Sequence, residues 1–282
     1  MSDPTLQELL RWTQMSANVS MARLQVDLNR LWIEEMARPR HADPKRLLRY
    51  GFKVYSQNDE DGIIQEIFRR IGTTNRSFIE FGVETGIESN TTKLLVEGWR
   101  GLWIEAVPAY IAEIRKIFSH SLADGSLKVT EGLVTVENIN ALVSAAGIAG
   151  EIDLLSIDID NNDYWVWKAI TAVDPRMVVI EYNASLRPPM SLVVPYRPHN
   201  MWDGSSFFGA SLEALVRLGR DMGYSIVACN YSGSNAFFVR NDLTGDLFLK
   251  PATAEEHYEP ARYFYSQLQS GHPARPGPYL SV

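Results

Sequence analysis

Residues 77–86 read SFIEFGVETG, and this stretch decides the fold. Phe78, Ile79 and Phe81 form a short apolar run that carries Glu80 into Gly82. Gly86 follows, and Leu94, Leu95 and Trp99 then recur at helical spacing. The segment is expected to form a strand, a tight glycine turn and the opening of a helix. Glycine lets the backbone approach a ligand that a side chain would hold off, and a helix start presents unpaired N–H groups. The spacing is Glu-x-Gly-x-x-x-Gly, which lacks the third glycine of the Gly-x-Gly-x-x-Gly dinucleotide fingerprint.

Downstream, residues 101–108 (GLWIEAVP) read as a second strand ending in Glu105. That acid lies about 20 residues past the turn, where a carboxylate grips ribose hydroxyls in nucleotide-binding sheets. Pro108 opens a helix with Ile111, Ile114 and Phe118 on one side. Residues 126–135 have strand character, and a helix over 136–146 buries Ile139, Leu142 and Val143. Ile152, Leu154, Leu155, Ile157 and Ile159 form the nearly unbroken apolar run of a central parallel strand, which delivers Asp158, Asp160 and Asp163 at its carboxyl end. Residues 176–185 repeat the pattern and end in Glu181, Tyr182 and Asn183. A helix over 209–222 and two strands, 224–230 and 235–241, follow, the strands joined through Ser232, Gly233 and Ser234 as a hairpin. The expected fold is α/β, a doubly wound, mainly parallel seven-stranded sheet with an N-terminal helical extension and ligands at the strands' carboxyl ends.

Residues 5–36 contain no glycine or proline and are expected to be helical, with Val19, Ala22 and Val26, then Leu24, Leu28 and Leu31, at helical spacings. They read as a helix packed on its own domain or as a dimerisation arm. The link RPRHADPKR, residues 38–46, marks a boundary. The expected organisation is an extension over 1–50, the main domain over 51–250 and a tail over 251–282. The tail, rich in Pro and Tyr, is left open as a cap on the site, an oligomer contact or a loose end. The proline-rich residues 185–208 read as an acceptor-binding lid, since so long a connection inside a domain is usually functional.

The chain has 282 residues, 45% hydrophobic and 22% charged, enough for a sizeable core. Its net charge is −7 and it has no block of Lys or Arg, which argues against nucleic-acid binding. A single cysteine, Cys229, excludes an internal disulfide framework and is expected to be a small buried strand residue. With no apolar stretch of membrane-spanning length and no signal-peptide pattern, the protein is expected to be soluble and cytoplasmic.

Together, FIEFGVETG, the strand end at Glu105, IDLLSIDID and the terminal hairpin resemble class I S-adenosylmethionine (SAM)-dependent methyltransferases of the FkbM-like type, over residues 55–241. The segment SQNDEDG resembles the Ser-Gln-x-x-Glu-Asp piece whose helix covers the cofactor cleft in that family, which brings in Ser56 and Gln57. The resemblance implies SAM as cofactor, held by Gln57, Glu80, Gly82, Glu84, Thr85, Gly86, Asn90, Glu105, Ala106 and Asp158. It also implies O-methylation of a saccharide or small natural product. FkbM-type sequences more often place an acid and a glycine after the fourth strand's aspartate, where this chain has Asp160, Asn161 and Asn162.

Three readings stay open for the acids. They cap a helix and solvate a strand end; they take the acceptor's proton, as Asp158, Asp160 or the loop's His199 would; or Asp158, Asp160, Glu181 and Asn183 hold Mg²⁺ or Mn²⁺ that orients a hydroxyl. An EF-hand is excluded, because Asp163 stands at the required glycine and Ala169 at the twelfth position. His41, His120, His257 and His272 lack paired zinc spacing. Tyr182, Arg187, Tyr196, Arg197 and Trp202 are the candidate substrate contacts, since rings stack on sugars and arginine forks onto carboxylates. The alternative function is a catalytically silent SAM-fold protein that assembles with partners, or with its own copies, through the N-terminal helices. An NAD-dependent oxidoreductase is disfavoured by the missing glycine.

Overall fold

The computed structural model describes residues 4–263 and 271–282, and the chain divides into two compact units, Met1–Pro44 and Lys45–Val282. The first unit is dominated by one helix, α1 (Pro4–Met36), about 50 Å long at 1.5 Å per residue. Trp12, Val19, Val26 and Ile33 recur along it every seven residues and are exposed. Among the described residues, no helix is long and apolar enough to cross a membrane.

In the second unit, α2 (Glu60–Ile71) buries Ile63, Ile64, Ile67 and Phe68, the stripe its sequence spacing dictates. Five parallel strands follow: β1 (Ser77–Phe81), β2 (Arg100–Glu105), β3 (Leu127–Glu131), β4 (Gly150–Ile157) and β5 (Val173–Glu181). Between them lie α3 (Thr92–Val96), α4 (Pro108–Ile117), α5 (Ser119–Ala123), α6 (Ile139–Ala145) and α7 (Asp163–Ala169). Leu154 and Leu155 of β4, like Val178 and Val179 of β5, are fully buried whichever face they point to, so helices must cover both faces.

After β5 the chain makes a two-residue strand, β6 (Leu192–Val193), then α8 (Leu212–Asp221), capped by the Ser211 hydroxyl accepting from the Ala214 N–H. β7 (Tyr224–Cys229) turns into β8 (Asn235–Arg240), and β9 (Leu280–Ser281) pairs with β6. The sheet order is β3-β2-β1-β4-β5-β8-β7, with β8 antiparallel to both neighbours. A parallel sheet closed by an antiparallel hairpin, its last strand inserted beside the fifth, is the Rossmann-like methyltransferase fold expected from the sequence. Cys229 is buried in β7, as expected.

Candidate active site

The carboxyl ends of β1, β2, β4 and β5 open on one cavity of about 450 Å³. At its floor Glu80 is buried, with one oxygen accepting from the Asn90 N–H (2.9 Å) and the Ser156 hydroxyl (3.1 Å). The other accepts from the N–H and the hydroxyl of Thr91. Burial raises the Glu80 carboxyl, and these hydrogen bonds pull it partly back. The N–H groups just before α3 are therefore spent on Glu80, whereas the sequence reading left them free for a ligand.

The two glycines are needed for close approaches within the protein. Gly82 has φ +71°, and a Cβ there would lie 1.7 Å from the Asp158 carbonyl oxygen. Gly86 has φ +76°, and its Cβ would lie 2.4 Å from the Trp103 ring. Gly82 lines the cavity; Gly86 and Thr85 do not.

Glu105 accepts the Glu84 N–H on one oxygen and the Val107 N–H on the other, both at 2.9 Å. Each oxygen keeps a further lone pair. Ala106, Val107, Tyr110, Leu133 and Val134 make a largely apolar end beside it. Gln57, Ser89 and Asn90 line the cavity near Glu80. The acids at the start of α2 have structural partners as well. Glu60 accepts the side-chain amides of Asn230 (2.6 Å) and Asn235 (3.0 Å), Asp59 accepts the Tyr231 N–H, and Asp61 accepts the N–H groups of Val54, Tyr55 and Ser56. Ser56 is fully buried and does not line the cavity.

Asp158, Asp160 and Glu181 each offer a carboxylate oxygen, all within 4.8 Å of one another. Burial drives Asp158 well above the usual carboxylate range, and repulsion from Asp160 and Asp163 adds to it. Glu181 is raised in the same way by burial and by Asp158, and Asp160 by burial and by Glu84. Asp163 accepts the Ile159 N–H at 2.8 Å and is pushed up to about 7, chiefly by burial; its other oxygen has no partner. Glu181 likewise keeps a buried oxygen without a hydrogen bond. Crowded oxygen donors of this kind fit a hard divalent cation, which would let them ionise together. Asn183 does not belong with them, because its amide donates to the Ser206 and Phe208 carbonyls and its oxygen accepts the Ser185 N–H.

Of the expected substrate contacts, only Trp202 lines this cavity. Tyr182 is buried and donates to the Glu259 carbonyl, while Tyr196 donates to Glu137. Arg187 is exposed, and Arg197 lines a smaller neighbouring cleft of about 160 Å³. His199 is exposed and does not line the cavity. The histidine that does line it is His272, whose ring lies 4.7 Å from Trp202, 4.8 Å from Tyr263 and 5.5 Å from Phe208. Burial lowers its pKa. Sequence reasoning missed Phe208, Tyr263 and His272 as lining residues, along with Ser234 and Asn235 of the hairpin. The tail's aromatic content was the one available signal.

No family model matches the chain, and no curated protein matches it. Similar solved structures include a SAM-dependent methyltransferase from Clostridium acetobutylicum, 13% identical, covering 76% of this chain and 99% of its own, with TM-score 0.39. An O-methyltransferase from Bacillus cereus in complex with SAH is 14% identical over 84% of this chain and 90% of its own, with TM-score 0.40. The glycopeptide N-methyltransferase MtfA complexed with sinefungin is 13% identical over 63% of this chain and 85% of its own, with TM-score 0.39. The fold itself rests on the strand order and the antiparallel insertion of β8.

Proposed function

We propose that this protein transfers a methyl group from SAM to a hydroxyl of a small molecule, a saccharide or natural product of the kind FkbM-like enzymes use. The observation that carries the reading is the cavity across the ends of β1, β2 and β4, with Glu105 held by the turn after β1. In this reading Glu105 accepts the ribose hydroxyls, Val107 and Val134 flank the adenine, and Gly82, Asn90 and Gln57 border the amino-acid end. The methyl then points toward Asp158 and Asp160.

Methyl transfer from a sulfonium needs the acceptor oxygen aligned in line and relieved of its proton. The new C–O bond forms as the C–S bond breaks, and the proton passes to the ionised carboxylate of Asp158 or Asp160. The products are a methyl ether and S-adenosylhomocysteine. Mg²⁺ or Mn²⁺, when held by Asp158, Asp160 and Glu181, would acidify and orient the hydroxyl. Titration calorimetry with SAM and with NAD tests the cofactor: SAM is expected to bind and NAD is not. Binding of NAD alone would reject the reading. Turnover that survives excess chelator would exclude the cation and leave the carboxylates as the base.

A further inference from the structure

The N-terminal helix carries an apolar face that the chain itself leaves open. Every residue of α1 from 5 to 23 is exposed. Helices in proteins draw most of their stability from packing an apolar face, so a helix exposed on all sides over this length calls for a partner. Where α1 is covered, at Leu24, Leu28 and Glu35, the covered residues share one side. At about 100° per residue that side lies roughly opposite the exposed column of Trp12, Val19, Val26 and Ile33.

That column has a companion. Met15, Ala22, Asn29 and Met36 each follow it by three residues, so the spacing alternates three and four from Trp12 to Met36. This is the a/d seam of a coiled coil, sustained over about three and a half heptads. Trp12, Met15, Val19, Val26 and Ile33 are 48–66% exposed, on the order of 500 Å² of apolar surface per helix, as large as the largest patch of a typical monomer. Two such seams face to face, with their flanking stems, reach the roughly 1,200 Å² at which specific interfaces begin.

The residues beside the seam select the partner. Arg11, Arg23 and Arg30 are set against Glu8, Asp27, Glu34 and Glu35, so α1 has no cationic face for an anionic membrane. Val19, Val26 and Ile33 are β-branched and stand at the a positions, a choice that favours two strands. In a parallel pair, Arg11 meets Ser16 of the second copy, Asn18 meets Arg23 and Gln25 meets Arg30, so each arginine faces a neutral polar side chain. Asn29 then faces Asn29 in the core, where the two amides can pair and fix the register. An antiparallel pair of full overlap sets Arg23 against Arg23 and Asn29 against Val19, which opposes like charges and buries an amide on an apolar side chain. We propose that two copies of this chain associate through α1 as a parallel two-stranded coiled coil, with Trp12 to Met36 as its seam. The inference is independent of the SAM reading.

Sedimentation velocity of the full-length protein at micromolar concentration is expected to show a dimer. Val26→Glu puts a charge into the seam and should weaken dimerisation about a hundredfold or more, while Leu10→Glu, on the opposite face, should leave it within a few fold. Both positions are exposed in the single chain, so both variants should fold, which melting curves check. Ala22→Cys reads the orientation. The native Cys229 is buried, and oxidised glutathione should cross-link residue 22 to its own counterpart, which it faces only in the parallel register. A monomer, an assembly of three or more chains, or a dimer that persists in Val26→Glu overturns the proposal. A dimer whose Ala22→Cys form does not cross-link overturns it too, because the strands would then not run parallel.

Discussion

The backbone N–H of Glu84 donates to the Glu105 carboxylate at 2.9 Å, so the side chain that ends β2 also holds the turn that ends β1. Glu84 itself has φ +50°, an uncommon conformation for a non-glycine residue that this hydrogen bond helps to maintain. Removing the carboxylate therefore loosens the turn and deletes the proposed ribose contact together. Glu105→Ala is expected to weaken SAM binding tenfold or more, since a hydrogen bond to a charged group contributes about 1.5–3 kcal/mol. Glu105→Gln should weaken it too, because its NH₂ would face either the Glu84 or the Val107 N–H. Calorimetry decides, and wild-type affinity in both variants would reject the assignment.

Gly82 and Gly72 separate two reasons for glycine. Both have positive φ, but a Cβ at Gly72 meets nothing within 4 Å, while one at Gly82 runs into the Asp158 carbonyl. Gly72→Ala should cost about 1–3 kcal/mol, from backbone conformation alone, since φ +69° with ψ 179° is a region essentially restricted to glycine. Gly82→Ala should cost about 3 kcal/mol or more, since β1 and β4 must also move apart. Urea denaturation of the two variants measures the difference, and equal losses would mean that the close approach carries no energetic weight.

The sheet was legible because its evidence is local. The apolar runs around Phe78, Leu154 and Val178 and the short link at Gly233 are patterns within single elements, and together they leave one topology. The near end of the cavity was legible for the same reason, since Glu80, Gly82, Glu105 and Asp158 fall at strand ends. The acceptor side was not. Phe208, Tyr263 and His272 meet only through tertiary folding, and nothing in residues 185–208 distinguishes Trp202, which lines the cavity, from Tyr196, which donates to Glu137. Asn183 was misread because its position at a strand end is indistinguishable in sequence from that of a ligand, while its hydrogen bonds to Ser206 and Phe208 are visible only in the fold.

The buried acids set a pH dependence with a definite sign. Asp163 titrates near 7 in the folded protein against a usual value of 3.8, and Asp158 and Glu181 are also raised. The folded state thus binds more protons than the unfolded chain between the two values, so stability falls as pH rises through that window. Without a divalent ion, the melting temperature is expected to drop between pH 5 and pH 8. Asp163→Asn keeps an oxygen for the Ile159 N–H and should flatten the drop. Mn²⁺ should raise the melting temperature more at pH 8 than at pH 5, because it binds the ionised carboxylates. Melting curves at the two pH values check each statement, and a rise in stability toward pH 8 without metal would contradict the burial of these charges.

His272 and His199 divide structure from solvent. His272 packs its ring among Trp202, Phe208 and Tyr263, and burial keeps it neutral at pH 7, whereas His199 is exposed in the loop. Ring contacts contribute about 0.5–1.5 kcal/mol each beyond their buried area, so His272→Ala should cost about 2 kcal/mol of stability. His199→Ala should change stability by less than about 0.5 kcal/mol, as surface substitutions usually do. Both variants should bind SAM as the wild type does, since neither ring touches the Glu80 and Glu105 end. If His199→Ala abolished methyl transfer while His272→Ala left it untouched, the loop rather than the tail would supply the acceptor wall, and the ring cluster would be packing alone.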